Sequence, residues 1–213
     1  MLYIAGSLAF IAVVLLINQQ LWQRDLVRGE ASRKLAHIAI GSFIAAWPLY
    51  MSYAEIRWAL LIGLVCAVIV RQLVLFPSIF DVKRRSIGDI AAPIIILLAA
   101  FLEPSRTIFA AMVLHIAFAD GMAALIGSRF GHKTAYNIFR EKKTLAGTAA
   151  FFGSSVLIMV AALLFRPVID TAAFMLYVVA IPLLTTFAEN VSPRGFDNIS
   201  VPIIVITLLL LFD

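Results

Sequence analysis

The chain has 213 residues, of which 63% are hydrophobic and only 14% charged, and it carries a formal net charge of +5. Soluble domains are about one half apolar and about one quarter charged, so this composition excludes an ordinary soluble domain and predicts an all-α, polytopic integral membrane protein. In such a chain the placement of Lys and Arg carries more information than their sum, and no nucleic-acid partner is expected.

Dividing the apolar runs at their charged and Pro/Gly interruptions predicts about eight transmembrane helices, since a helix needs roughly 17–25 residues to cross the hydrocarbon. They fall near residues 2–18, 35–51, 58–75, 88–103, 107–126, 147–165, 171–189 and 199–212, the fourth and eighth being marginal in length. Helices rather than barrel strands are expected because the runs do not alternate apolar and polar residues. No basic region precedes the first run and no small-residue cleavage site follows it, so it reads as an uncleaved helix. Cys66 stands alone inside an apolar run, which excludes an intrachain disulfide and a CxxC site. No internal repeat or linker divides the chain, and residues 1–213 read as one domain.

Of the seventeen Lys and Arg residues, fourteen fall in the odd-numbered loops and only Arg57, Arg106 and Arg166 in the even ones. The positive-inside rule then puts the odd loops in the cytoplasm and both termini on the non-cytoplasmic side.

The first candidate cluster is Arg33-Lys34-x-x-His37, where a basic loop enters the second apolar run. On a helix these three share one face. In the third loop, Arg85-Ser86-x-Gly88-Asp89 precedes an apolar run with Pro93, and Asp89 is either an acidic cap or an acid entering the membrane with Arg85 as its partner. Asp120 interrupts the fifth run about two turns, roughly 10 Å, before Gly127. A carboxylate at such a depth needs a cation or a metal, and a loop lysine or His115 would be its structural partner. His115 itself reads as a helix-packing residue.

After Asp120 the chain becomes polar and glycine-punctuated, with Gly127, Gly131, Lys133, Tyr136, Asn137, Lys142, Lys143, Thr144 and Gly147. Glycines let backbone amides approach an anion, and a helix starting near Gly147 would offer its N-terminus to phosphate. No Walker-type P-loop is present. Glu189-Asn190 and Asp197-Asn198 add oxygen ligands, and with Asp89 and Asp120 they could hold Mg²⁺, which takes one or two carboxylates plus substrate phosphates. The pair is not fixed by the sequence.

Together these stretches resemble the polyprenol kinase family, which comprises dolichol kinases, phytol kinases and CTP-dependent diacylglycerol kinases. Arg33-Lys34-Leu35-Ala36-His37 resembles its RKxxH element, Arg85 to Asp89 with Pro93 its second patch, and residues 120–148 its phytol kinase stretch, with G-x-x-x-G at Gly127 to Gly131, the pair Tyr136-Asn137 and K-[ST]-x-x-G-[ST] at Lys143 to Thr148. Asp197-Asn198 with Val201-Pro202 resembles its DN-x-x-V-P element. The chain departs from the family's usual pattern at Ala119, ordinarily Gly, and at Thr144, ordinarily Ser.

The resemblance implies phosphoryl transfer from a nucleoside triphosphate, typically CTP, to a lipid alcohol at the cytoplasmic face, with Mg²⁺ or another divalent cation. Asp120, Asp89 and Lys143 are the expected catalytic residues. Arg33, Lys34, His37, Arg85, Gly127, Gly131, Lys133, Asn137, Lys142, Thr144, Gly147 and Asn198 are expected around the nucleotide, and Asp120, Asp197 and Glu189 around the metal. Three other readings compete. Asp120-Gly121-x-x-Ala124 opens like a CDP-alcohol phosphotransferase motif, but the next aspartate is Asp170, too far along to complete it. A phosphatidate cytidylyltransferase-like enzyme would show a C-terminal Lys-Asp signature that is absent. A lipid transporter would place paired charges near the membrane midplane, often in matching halves.

Overall fold

The computed structural model describes residues 1–80, 88–139, 141–165, 170–193 and 195–211, and the Asp89 side chain lies outside that description, as does Arg85. The architecture is nearly all helical: α1 (Leu2–Gln23), α2 (Gly29–Ala45), α3 (Tyr53–Leu73), the single turn α4 (Pro77–Phe80), α5 (Gly88–Phe101), α6 (Arg106–Leu114) and α7 (Asp120–Phe130). A hairpin of β1 (Ala135–Ile138) and β2 (Glu141–Thr144) follows, then α8 (Leu145–Leu163), α9 (Thr171–Met175), α10 (Ile181–Val191) and α11 (Asp197–Leu211).

Two π-helical segments, His115–Ala119 and Leu176–Ala180, fuse α6 to α7 and α9 to α10. Each joined pair is therefore one rod, of 25 and 21 residues. With α1, α3 and α8 these make five helices long and apolar enough to cross a membrane. The helices α2, α5 and α11, at 17, 14 and 15 residues, are shorter than those five.

Several boundaries differ from the sequence expectation. The second helix begins at Gly29 rather than at residue 35, so Arg33 and Lys34 are helical and not in a loop. It ends at Ala45, after which Trp47–Leu49 form a short turn containing Pro48. The polar stretch after Gly131, expected as a loop, contains the antiparallel hairpin, with Asn137 opposite Lys142 and Tyr136 opposite Lys143. The pattern missed this because each strand is only four residues long.

Local chemistry accounts for several helix starts. Ser52 and Glu55 form a reciprocal capping box at α3, the Ser105 hydroxyl accepts from the Ile108 amide at α6, and Asp170 accepts from the Ala173 amide at α9.

The α6–α7 rod is the centre of the bundle. Two thirds of its apolar window, 67%, is buried, against 17% for α1 and for α3, which present most of their surface outward. Packed on it are α2, α8 and α11. Glycines set how closely. A Cβ at Gly41 would lie 2.1 Å from the Ala117 Cβ, and one at Gly121 only 2.3 Å from the Ile38 Cγ1. Side chains do not approach that closely, so α2 lies on the rod at a distance only glycine permits. Lys34, Ile38 and Gly41 share one face of α2, and that contact is what aims Lys34 at Asp120.

On the other side of the rod, α8 crosses α7 with Gly127 and Gly147 against each other. A Cβ at Gly147 would meet the Ala123 carbonyl oxygen at 2.9 Å, and one at Gly127 the Thr144 Oγ1 at 2.8 Å.

Candidate functional site

At the end of the bundle where α2, α8 and α11 start and α7 and α10 finish, a cavity of about 580 Å³ opens between the helices and β2. Its wall gathers Arg33, Lys34, Asp120, Gly127, Lys142, Lys143, Thr144, Gly147, Glu189, Asp197 and Asn198. Residues from four separate stretches of sequence thus meet in one place.

The deepest feature is an ion pair between Lys34 on α2 and Asp120, the first residue of α7. Both side chains are buried, and the lysine Nζ donates to Asp120 Oδ2. The cation that Asp120 needs therefore comes from Lys34, 86 residues earlier, a lysine expected in the first loop and found on α2, and not from His115. His37, one turn along α2, stands with Nε2 3.9 Å from the same carboxylate oxygen and 2.9 Å from the Ile116 carbonyl inside the π segment. It braces the acid from beneath and does not line the cavity.

His115 packs as expected. Its Nδ1 is 2.7 Å from the Ala111 carbonyl, so this nitrogen carries the proton and donates. The other, Nε2, 2.7 Å from Ser155 Oγ, accepts from that hydroxyl.

A second pair crosses the cavity. Lys143 on β2 donates to the Glu189 carboxylate and, at 2.9 Å, to the Glu189 backbone carbonyl. Burial works against the charge of Lys143, but the Glu189 carboxylate outweighs it and, with Asp197 and Asp120, holds the ammonium pKa above its ordinary value.

The third acid, Asp197, stands ahead of the apolar part of α11. Among the described residues no cation lies within ion-pair distance of it. The neighbouring Asn198 is buried with its Oδ1 unpartnered among the described residues.

Thr144 joins hairpin to helix. Its hydroxyl caps α8 by accepting from the Gly147 amide at 3.0 Å. The hairpin is held by Tyr136, whose hydroxyl donates to Asn190 Oδ1 and meets Thr148 Oγ1 at 2.5 Å. Thr148 in turn donates to the same Asn190 oxygen at 3.0 Å. Asn190 Nδ2 closes the set on the Thr186 carbonyl at 2.9 Å.

Not every expected residue reaches the cavity. Lys133 sits in the exposed turn after Gly131, and Asn137 is exposed on β1. Gly131 is buried against Thr144, where a Cβ would fall 2.4 Å from the threonine Oγ1. Gly127, Gly131 and Gly147 thus permit close packing on their Cβ side, while Gly127 and Gly147 also line the cavity. Arg85 and the Asp89 side chain lie outside the described residues.

The sequence reading also missed cavity residues: Glu30, Ser128, His132, Glu141 and Ser192. Glu30 was findable, since it sits three residues before Arg33 and its carboxylate pairs with that guanidinium.

Among the described residues no three His, Cys, Asp or Glu side chains cluster closely enough to enclose a metal ion by themselves. With Asp120 and Glu189 paired to lysines and Glu30 to Arg33, the donor set fits a hard cation that draws most of its ligands from phosphate oxygens and water, as Mg²⁺ does.

The chain is 31% identical over 214 positions to phytol kinase of Synechocystis sp., an alignment that spans 95% of this chain and 88% of that one. The chain belongs to the polyprenol and phytol kinase family. No protein-family model matches it, and no solved structure does. Family membership and the apolar helices together make this an integral membrane protein.

Proposed function

We propose that this protein is a lipid alcohol kinase that uses CTP to phosphorylate an isoprenoid alcohol, phytol or a polyprenol, at the cytoplasmic face of the membrane. The observation that carries the reading is the cavity in which Lys34, Lys142, Lys143 and Arg33 meet the carboxylates of Asp120, Glu189 and Asp197, in a relative of a phytol kinase.

Phosphoryl transfer asks the protein for positioning and charge neutralisation. Lys142 and Lys143 approach from β2 and Arg33 and Lys34 from α2, so a triphosphate in the cavity is flanked by cations on two sides. The alcohol oxygen forms the new bond to the terminal phosphorus, the bond to the bridging oxygen breaks, and CDP leaves. A cavity carboxylate, Asp120 or Asp197, accepts the hydroxyl proton. Mg²⁺, when bound, would neutralise the phosphate oxygens, and Asp197 and Asp120 are the residues to hold it. Arg85 and Asp89 of the third loop are proposed, on the family resemblance, to take part in the same reaction.

In this reading the chain is one domain of eight membrane helices, α2, α5 and α11 completing the set, with both termini on the non-cytoplasmic side as the Lys and Arg distribution requires. The test is to incubate the purified protein with labelled CTP or ATP, Mg²⁺ and a panel of phytol, geranylgeraniol, polyprenols and diacylglycerol. Labelled lipid phosphate from an isoprenoid alcohol with CTP is the expected result. A folded protein that labels none of them refutes the kinase reading, and labelling with ATP alone refutes the donor.

A further inference from the structure

Beside the cavity a second depression, of about 480 Å³, runs along α5 toward the start of α11. Its floor is aliphatic: Ile90, Ile94 and Leu98 form one stripe along α5, and Ile199 of α11 faces them. Arg71, in the last turn of α3, stands at its rim, the only charged side chain among its described walls. Neighbouring residues of α11 serve the two: Asn198 lines the cavity and Ile199 lines the groove.

Asn198 is the second observation. It is only 8% exposed, it faces the cavity, and its Oδ1 has no hydrogen-bond partner among the described residues. A buried acceptor left without a donor is destabilising, and sites that keep one are built for a ligand that supplies it.

We infer that Asn198 Oδ1 receives the hydroxyl of the lipid alcohol on binding, its one proton passing to the adjacent Asp197 carboxylate as the oxygen attacks, and that the groove between α5 and α11 holds its single branched hydrocarbon chain. An alcohol is the ligand chemistry that fits both halves: a hydroxyl donates where the oxygen waits, and the attached chain needs an apolar channel starting at the same point. The side-by-side origin of the two walls on α11 orients the acceptor, with its oxygen toward the phosphate side and its tail outward along α5. A diacylglycerol carries two chains from its glycerol, and one channel leaves the second unaccommodated. This inference rests on the kinase reading above, and it moves Asn198 from nucleotide binding to acceptor binding.

Two experiments separate it from that reading. In the first, the unmodified protein in nanodiscs is photolabelled with a C20 isoprenoid alcohol bearing a diazirine near its middle, with no nucleotide present. Label on residues 88–101 and 197–211 that unlabelled geranylgeraniol displaces and diacylglycerol does not is the expected result. Label confined to other helices, or displaced equally by diacylglycerol, overturns the inference whether or not the protein is a kinase.

The second compares variants. Ile94, 39% exposed, tolerates a larger side chain on its open face, and Ile94→Trp should lower the ratio of kcat/KM for a C20 over a C5 alcohol by about tenfold, the loss of one or two buried methylenes. Asn198→Leu should raise KM for the alcohol with KM for CTP little changed, and Asn198→Asp, which keeps the oxygen, should restore it in part. If Asn198→Leu instead raises KM for CTP alone, Asn198 serves the nucleotide and the inference fails. A wild-type protein that phosphorylates no alcohol refutes the kinase reading and leaves the photolabelling to judge the groove.

Discussion

The buried pair of Lys34 and Asp120 allows structural and catalytic roles to be separated by a single set of variants. The two side chains are 8% and 12% exposed and bonded to each other. Asp120→Asn strands the Lys34 ammonium in an apolar surround, and Lys34→Met strands the carboxylate. Breaking a buried pair from one side costs about 3–5 kcal/mol, whereas replacing both partners by apolar groups of similar volume is often nearly neutral. His37, 3.9 Å from the carboxylate, offsets some of the loss in Lys34→Met, so Asp120→Asn should be the less stable single variant.

The double variant Asp120→Leu, Lys34→Met should therefore melt within a few degrees of wild type while each single variant melts well below it. Activity should follow another pattern: all three variants lose at least about a hundredfold in kcat/KM, because removing one group that stabilises transferring charge costs two to three orders of magnitude and restored stability does not replace it. The measurements are thermal melting of the purified protein in one detergent at a fixed scan rate, and initial rates of lipid phosphorylation. A double variant that recovers activity along with stability would show that the pair only holds α2 to the rod. Single variants as stable as wild type would refute the buried-pair argument itself.

Three further outcomes follow from the packing. Gly41→Ala places a methyl 2.1 Å from the Ala117 Cβ, so α2 must shift; it should cost about 1–3 kcal/mol in stability and lower activity by moving Lys34, read by melting and by rate in parallel. Tyr136→Phe removes the hydroxyl that meets Asn190 and Thr148, costing about 1 kcal/mol, and should speed proteolytic cleavage within residues 135–144 with little change in overall melting. Exchanging Lys143 and Glu189 for each other should keep the pair and most of the stability while removing the cation from β2, so that KM for the nucleotide rises at least about tenfold; unchanged nucleotide KM would exclude Lys143 from phosphate binding.

Much of the site was legible in the chain because charged groups are costly in an apolar bundle. Asp120, Lys34, Lys143 and Glu189 stand out against their surroundings, and each was found in the cavity. Their pairing was not legible. A loop lysine and His115 were both open to Asp120, and its partner is Lys34, which the apolar run leaves in the first loop but which lies on a helix starting six residues earlier. Gly29-Glu30 and Arg33-Lys34 lower the local hydropathy, yet the segment forms a regular helix because the α2 contact with the rod carries it. Tertiary packing there overrides the hydropathy signal. Nothing in a run of glycines separates a close approach by an anion from one by another helix; Thr144 and the Ala123 carbonyl show the helix contact, while Gly127 and Gly147 also line the cavity.

The two π-helical segments were beyond any periodicity argument, and they bear on where the chemistry sits. The α6–α7 rod is buried nearly all round, so it shows no polar face whose phase could reveal an irregularity. A π segment adds a residue to a turn and rotates everything after it relative to everything before. The first ends at Ala119, and Asp120 is the residue it re-aims; the second ends at Ala180, and Ile181 to Val191 carry Glu189 and Asn190 to the cavity. Both segments pack on α8, between whose Ser155 and the flanking rods run the contacts of His115 on one side and, at 3.2 Å, Thr185 on the other. The rods are thus joined to each other below the cavity by buried polar contacts and at its rim by Lys143 and Tyr136, which reach Glu189 and Asn190 from the hairpin. Two acids on two rods hold their relative position only while both ties hold. Loosening the lower one, as Ser155→Ala would, should therefore impair phosphorylation from a position that touches no substrate, with Ser155→Thr restoring part of it by returning the hydroxyl.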